Sequence, residues 1–252
     1  MIDRTELLAV FDALLAPERF KDYGPNGLQV EGKREIRSVV SGVTASRALI
    51  EAAIRAKADA IFVHHGLFWR GQDGRMVGWL RERLALLLAH DINLFAYHLP
   101  LDAHPELGNN AQLGQLLGLQ ASARFGEQEL GFLGCKSDGS AFQSADHLAK
   151  HVEFKLNRPI ALVQGSTTAI KNVAWCTGGA QSYFEAAIAA GADAFITGEI
   201  SEPQAHIARE CGVAFLACGH HATERYGAPA VAAHVAAQCG IAHRFIEIDN
   251  PA

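Results

Sequence analysis

The sequence predicts an α/β protein made of two related three-layer units with mainly parallel sheets. Three observations lead there. Residues 51–60 read EAAIRAKADA and residues 185–194 read EAAIAAGADA, identical at eight of ten positions at an offset of 134. Self-similarity of this kind marks an internal duplication. Each copy also sits in the same context: an apolar run, a turn of small residues, the repeated helix, a second apolar run, a helix and a third apolar run. Finally, the runs are short and wholly apolar rather than alternating, as expected of parallel strands covered on both faces. With 252 residues, 49% of them hydrophobic and 19% charged, the chain suffices for one large or two small domains at roughly 100–200 residues each.

The elements follow in order. MIDRTELLAVFDALLAPERF mixes acids with apolar residues and reads as an amphipathic helix rather than a secretory signal. YGPNGLQV at 23–30 is a turn or a lip of the site, with Asn26-Gly27 favouring positive φ. The first unit, 1–120, takes strands at 36–40, 60–63 and 92–97, a helix at 76–89, and a closing helix at 110–117. From 120 to 165 the pattern changes to a strand at 129–136, a helix at 144–157 and a strand at 159–164. These three form either an appended element or part of the second sheet. The second unit, 121–252, places strands at 173–176, 194–197 and 213–218 and a helix at 201–211, with Ser201 as N-cap and Pro203 in the first turn. A helix at 229–239 and a strand at 243–248 end the chain, the strand joining the second sheet or returning to the first.

Composition removes several function classes. No apolar run reaches the ~18 residues of a membrane-spanning helix. A net charge of −5 gives no footprint for a dedicated nucleic-acid or membrane-surface binder. The cysteines at 135, 176, 211, 218 and 239 are odd in number and form no C-x-x-C pair, which reads as a reduced cytosolic chain.

Ligands of open parallel sheets sit beyond the carboxyl ends of the strands. There the sequence puts His64 and His65, then His98 and Asp102, then Gly198 and Glu199, then His220, His221 and Glu224. At an offset of 122, His98-x-x-x-Asp102 superposes on His220-x-x-x-Glu224. These two elements with His64-His65 supply four imidazoles and two carboxylates, which suit Zn, Mn, Fe, Co or Ni rather than Ca, and a carboxylate can bridge two ions. Pro100 argues for a loop from His98 to Asp102, whereas His220 and Glu224 can share one helical turn. A His-His pair alone is more often a packing feature; three His-rich segments at one edge carry the metal reading. The histidines at 104, 147, 151, 206, 234 and 243 read as ordinary surface or core residues. CTGGA at 176–180, with GVTAS at 42–46 as its partner, is either a phosphate-cradling turn or a plain one. No H-E-x-x-H, no G-x-S-x-G and no Cys/His nucleophile pattern is present, which disfavours covalent catalysis by Ser or Cys.

NGLQVEG, GVTAS, DAIFVHHGLFW, YHLPLDAHPELGNNAQL, CTGGAQS, DAFITGEISE and GHHATER together resemble the GTP cyclohydrolase I type-two homologues, also called NIF-three-like dinuclear-metal proteins. The likeness runs from about Asp22 to Ala252 and is nearest the short bacterial members, which lack an inserted domain. The resemblance implies two divalent ions per subunit, a ring-shaped homohexamer and sites facing its interior. Carried over, the ligands are His64, His65, Asp102, His220 and Glu224, with Glu224 bridging. His98 then matches a site-proximal position, and His98 and His221 become the acid–base candidates.

The leading expectation is a cytoplasmic metal-dependent hydrolase acting on a small molecule, with purine-nucleotide ring opening on GTP as the reaction the resemblance implies. Arg70 and Arg225 are candidate phosphate partners; no substrate-binding residue is assigned. The rival reading is a ring-shaped binding or interaction protein with structural metals. A third is a DNA-damage-related metal enzyme, for which the acidic charge balance supplies no basic stripe.

Overall fold

The computed structural model describes residues 1–165 and 169–252, and they form two compact units. The first comprises Met1–Gly108 and Gly227–Asp249; the second comprises Asn109–Tyr226 and Asn250–Ala252.

In the first unit β1 (Ile2–Asp3) leads into α1 (Arg4–Leu15), where the Asp3 carboxylate caps the helix by accepting the Thr5 N–H at 2.8 Å. Then come β2 (Gly27–Val30), β3 (Glu35–Ile36), β4 (Ser38–Thr44), α2 (Arg47–Arg55) and β5 (Ala60–His65). Gly27 has the positive φ expected of Asn26-Gly27, at 101°. The stretch continues with α3 (Gly78–Ala89), β6 (Asn93–Ala96) and α4 (Leu99–Ala103). Strands β4, β5 and β6 run parallel, with Val39 opposite Ala60 and Ala60 opposite Asn93; β2 closes one edge antiparallel to β6. Side chains alternate across the sheet. Ile61 and Val63 pack with Leu49 and Leu84 on one face, while Ala60 and Phe62 pack with Leu7 and Phe11 on the other.

The second unit opens with α5 (Asn109–Leu117), β7 (Leu119–Phe125), β8 (Gly131–Lys136), α6 (Ala145–Leu156) and β9 (Ala161–Val163). It continues with β10 (Val173–Trp175), α7 (Phe184–Ala189), β11 (Ala194–Thr197), α8 (Glu202–Cys211), β12 (Ala214–Ala217) and α9 (His220–Glu224). The described strands order as β7-β8-β10-β11-β12-β9. Only the central three are parallel, so this sheet is mixed. The 129–136 and 159–164 segments are therefore part of the second sheet. Helix α8 has the Ser201 capping box and Pro203 in its first turn. Ala194 and Ile196 pack with Leu113 and Val152; Phe184 stacks on Phe195 and both meet Phe215 edge-on, with centroids 4.9 to 5.9 Å apart.

The units divide elsewhere than at the expected boundary of 120. Helix α5 belongs to the second unit, because Leu113 and Leu117 are buried in that unit's core. Nor does the second unit keep the end of the chain. Helix α10 (Gly227–Cys239) buries Val231 and Val235 against Leu7, Phe11 and Phe62, and β13 (Ala242–Phe245) extends the first sheet parallel to β4. Residues 250–252 rejoin the second unit, where Arg158 donates to the Pro251 and Ala252 carbonyls.

The duplication extends to a side-chain staple. Asp59 Oδ2 accepts the N–H groups of Arg37 and Ser38 at 2.9 and 3.3 Å; Asp193 Oδ2 accepts those of Lys171 and Asn172 at 2.9 and 2.7 Å. The 134-residue offset relates all three positions, and each aspartate ties the start of one strand to the start of the next. Burial pushes the Asp59 carboxyl up, but the Lys33 ammonium at 2.9 Å and the two N–H groups outweigh it, holding the carboxyl below its ordinary value. Asp59→Asn should cost about 1–3 kcal/mol at neutral pH, measured by urea unfolding. The carboxylate contributes above its unfolded value of 3.8 and less as pH falls through the lowered folded value. The gap between wild type and variant should therefore shrink below pH 3.8; a gap constant with pH would refute the staple.

Candidate metal centre

In the first unit the imidazoles come from the ends of β5 and β6. The strand expected to stop at 63 continues through both histidines, and Thr44 pairs with His65. His64 is fully buried and its Nδ1 lies 3.2 Å from the Tyr97 carbonyl. A carbonyl only accepts, so Nδ1 carries a proton and Nε2 is the nitrogen left for a further partner. His64 Nε2 is 3.5 Å from Asp102 Oδ1. His65 Nδ1 meets the Thr44 hydroxyl at 3.0 Å. His98 Nδ1 meets Asp22 Oδ1 at 2.7 Å. One ring nitrogen from each of His64, His65 and His98 lies within 4.8 Å of the other two.

The loop expected from His98 to Asp102 is instead the single turn α4. Pro100 lies in that first turn, where its missing N–H would have had no helical partner and its fixed φ suits the helix. The turn buries Asp102 and sets it facing His64. Trp69 stands edge-on to His98 at 5.1 Å and 88°.

Asp22 is the residue that sequence reasoning missed. Its carboxylate also accepts from the N–H of Leu99 and the Asn26 amide, both at 2.9 Å. Burial pushes it up; the His98 hydrogen bond and charge, with those donors, bring it below its ordinary value. Asp22 and His98 are 76 residues apart, and no local pattern links them. Of the segment expected as a turn at 23–30, Gly27–Val30 is strand β2, and the residues before it reach the site, since Asn26 Oδ1 accepts the His98 N–H at 2.8 Å.

In the second unit, His220 and Glu224 share the one-turn helix α9, with His220 Nε2 3.2 Å from Glu224 Oε2. Glu199, just past β11, takes His220 Nδ1 at 2.5 Å. Hydrogen bonding to Glu224 raises the imidazole most; burial opposes, Glu199 adds, and His220 is pushed up to about 9. The carboxylates that hold this proton are ones a cation would satisfy in its place. His221 is buried on the same turn. Imidazole with carboxylate is a donor set that fits first-row divalent metals in both units.

Three of the five N–H groups of CTGGA are spent within the unit. Its Cys176, Thr177 and Gly178 N–H groups donate to Ile196 O, Asn110 Oδ1 and Thr223 Oγ1, and so are not directed at a phosphate. Gly178 has φ of 69°, and a Cβ there would overlap the Glu224 carboxylate. Its counterpart GVTAS supplies Ser46, which caps α2 by accepting the Leu49 N–H. Arg70 is tied to the Asp22 carbonyl and Arg225 to the Leu156 carbonyl. Histidines 151, 206 and 243 bond Leu117 O, Glu202 and Ser41, as ordinary structural residues do.

The sequence pattern of the Duf34/NIF3 (NGG1p interacting factor 3) family matches residues 2–251. The chain belongs to the Duf34/NIF3 family. A family relative of Allochromatium vinosum, named GTP cyclohydrolase 1 type 2 homolog, is 49% identical over all of this chain and 98% of its own length. Two solved structures align over the whole of both chains. One, protein ybgI of unknown function, has a TM-score of 0.95 at 45% identity. The other, from Thermus thermophilus, has 0.87 at 32%. The α/β fold with parallel-rich sheets expected from the sequence is thereby shown, and the family is the one its motifs resemble.

The Gly178 geometry generates a prediction for this Duf34/NIF3 chain. Gly178→Ala should destabilise by more than about 1 kcal/mol, because the site needs both positive φ and the missing Cβ. Paired thermal melts would register this; an unchanged melting temperature would mean the turn accommodates a side chain.

Proposed function

We propose that this protein is a dinuclear divalent-metal hydrolase. The ligands in this reading are His64, His65, Asp102, His220 and Glu224, with Glu224 bridging the ions. The observation that carries it is the convergence of the His64, His65 and His98 ring nitrogens within 4.8 Å, beside a buried carboxylate. Bound ions would supply the Lewis acidity that lowers the pKa of water and polarises a substrate oxygen or ring nitrogen. Proton movement falls to the imidazoles outside the ligand set, His98 and His221. A small, partly open pocket lined by Gln29, His64, Trp69 and His98 gives a small molecule access to this part of the first unit.

GTP is the first substrate to test, on the strength of the name its relatives carry. The metal could be Zn, Mn, Fe, Co or Ni, since availability often decides among them. Assembly into a homohexamer and a cytoplasmic location belong to the same reading, supported by the resemblance and by the odd, unclustered cysteines. Among the described residues no helix is long and apolar enough to cross a membrane.

Plasma mass spectrometry on protein purified without chelators should find two ions per chain, with His65→Ala and Glu224→Gln each lowering the content. One ion or none after reloading with Mn, Fe and Zn would overturn the dinuclear reading in favour of a binding protein. Formate released from GTP by the loaded protein would support the ring-opening reaction; two ions without formate would remove GTP alone.

A further inference from the structure

Two loops of the first unit, 22–26 and 66–70, are riveted together beside His98. The Arg70 N–H donates to the Tyr23 carbonyl at 2.6 Å, and Arg70 Nη2 donates to the Asp22 carbonyl at 2.7 Å. The Gln29 amide ties both loops, accepting the Leu67 N–H and donating to the Pro25 carbonyl, each at 2.8 Å. A Cβ at Gly24 would overlap the Phe68 carbonyl, and one at Gly66 the Gln29 amide, so glycine is what lets the loops touch. Metal ligation uses none of these contacts. They hold a wall whose shape is set before any ligand arrives.

That wall is aromatic. The Trp69 ring lies 5.1 Å from His98 at 88° and the Tyr23 ring 5.9 Å from it at 68°, so both stand upright to the imidazole. Tyr23 is 59% exposed, a large ring left in solvent beside the imidazole cluster. Between the loops is a depression lined by Gly24, Gln29, Gly66, Phe68, Trp69 and His98, with room for about one water-sized group. Only one substituent of a ligand fits there, so the ligand's body lies against the rings outside. Among the described residues no lysine or arginine lines the depression; its polar side chains are an amide and imidazoles. With Nδ1 held by Asp22, His98 offers Nε2. Such groups beside π faces match the polar edge and flat face of a heteroaromatic ring, and they do not match a phosphate.

We propose that Trp69 and Tyr23 bind the flat ring of a nucleobase-like substrate, with one ring substituent entering the depression against Gln29 and His98. They are the specificity-determining residues of the site, and they read the base rather than the phosphates. The inference rests on the reading of this edge as the substrate site of a metal-dependent hydrolase, and it supplies the residues that recognise the substrate.

Equilibrium dialysis of the full-length, metal-loaded chain against radiolabelled guanosine and, separately, adenosine tests it, with ribose 5-phosphate as competitor. At least one nucleoside should bind, and ribose 5-phosphate should not displace it. Trp69→Ala should weaken binding by about 5- to 100-fold, the loss that removing one stacked ring brings, while Trp69→Phe keeps most of the affinity. Trp79→Ala, at an exposed tryptophan on α3 that does not line the depression, should leave binding unchanged. Circular dichroism and melting curves check folding, and Tyr23→Ala, at an exposed ring, keeps the test alive if Trp69→Ala does not fold. Metal content of each variant should stay at the wild-type level, which separates loss of the ring site from loss of the ions. Folded Trp69→Ala and Tyr23→Ala variants that hold the nucleoside as tightly as the unmutated chain overturn the proposal. So does a chain that holds two ions and binds neither nucleoside, or one from which ribose 5-phosphate displaces the nucleoside; both outcomes leave the metal reading standing. Trp69-dependent binding by a chain that takes up no ions keeps the ring site and removes the metal reading.

Discussion

The register between β5 and β6 is the constraint on which the first unit's imidazole cluster depends. Ala60 faces Asn93 and Val63 faces Ala96, so the two strands finish together with His64 and His65 beside Tyr97 and His98. Burial fixes that register. Ile61 and Val63 belong to one apolar layer and Ala60 and Phe62 to the other, and a slip of one residue would exchange the layers. The imidazole cluster thus inherits its geometry from the hydrophobic core, and the polar groups at the sheet edge only refine it.

The duplicated unit was put to two different uses. Both halves keep three parallel strands and the aspartate staple, in matching register: Val39, Ala60 and Asn93 in the first, Val173, Ala194 and Ala214 in the second. Their carboxyl ends differ in donors. The second strand of the first unit ends in two imidazoles, and its counterpart leads to Gly198 and Glu199. In the second unit the carboxylates raise the affinity of His220 for a proton, while in the first each ring is oriented through Nδ1. A shared scaffold with divergent edges explains why the offset match between His98 and His220 holds in position without implying equal roles.

Orientation is the common theme of both edges. Tyr97, Thr44, Asp22 and Glu199 each meet an imidazole at Nδ1, of His64, His65, His98 and His220 in turn, and so hold its ring plane. Gly178 serves the same end by absence, since the space it leaves is the space Glu224 fills. Arg70 braces the Asp22 loop through its Nη2, which donates to the Asp22 carbonyl.

What the amino-acid order determined by itself is what depends on local spacing. The repeat, the apolar strands, the Ser201 cap and the His220–Glu224 pair all follow from periodicities along one element, because residues four apart on a helix must meet. Histidines and acids at the strand ends were legible for the same reason. Tertiary structure alone decided the ownership of α5, the return of α10 and β13 to the first sheet, and the partnership of Asp22 with His98. None of these leaves a local trace. Each is chosen by which apolar face needs covering, or by a donor brought close from 76 positions away, and the free energy of burial is indifferent to where along the chain its residues come from.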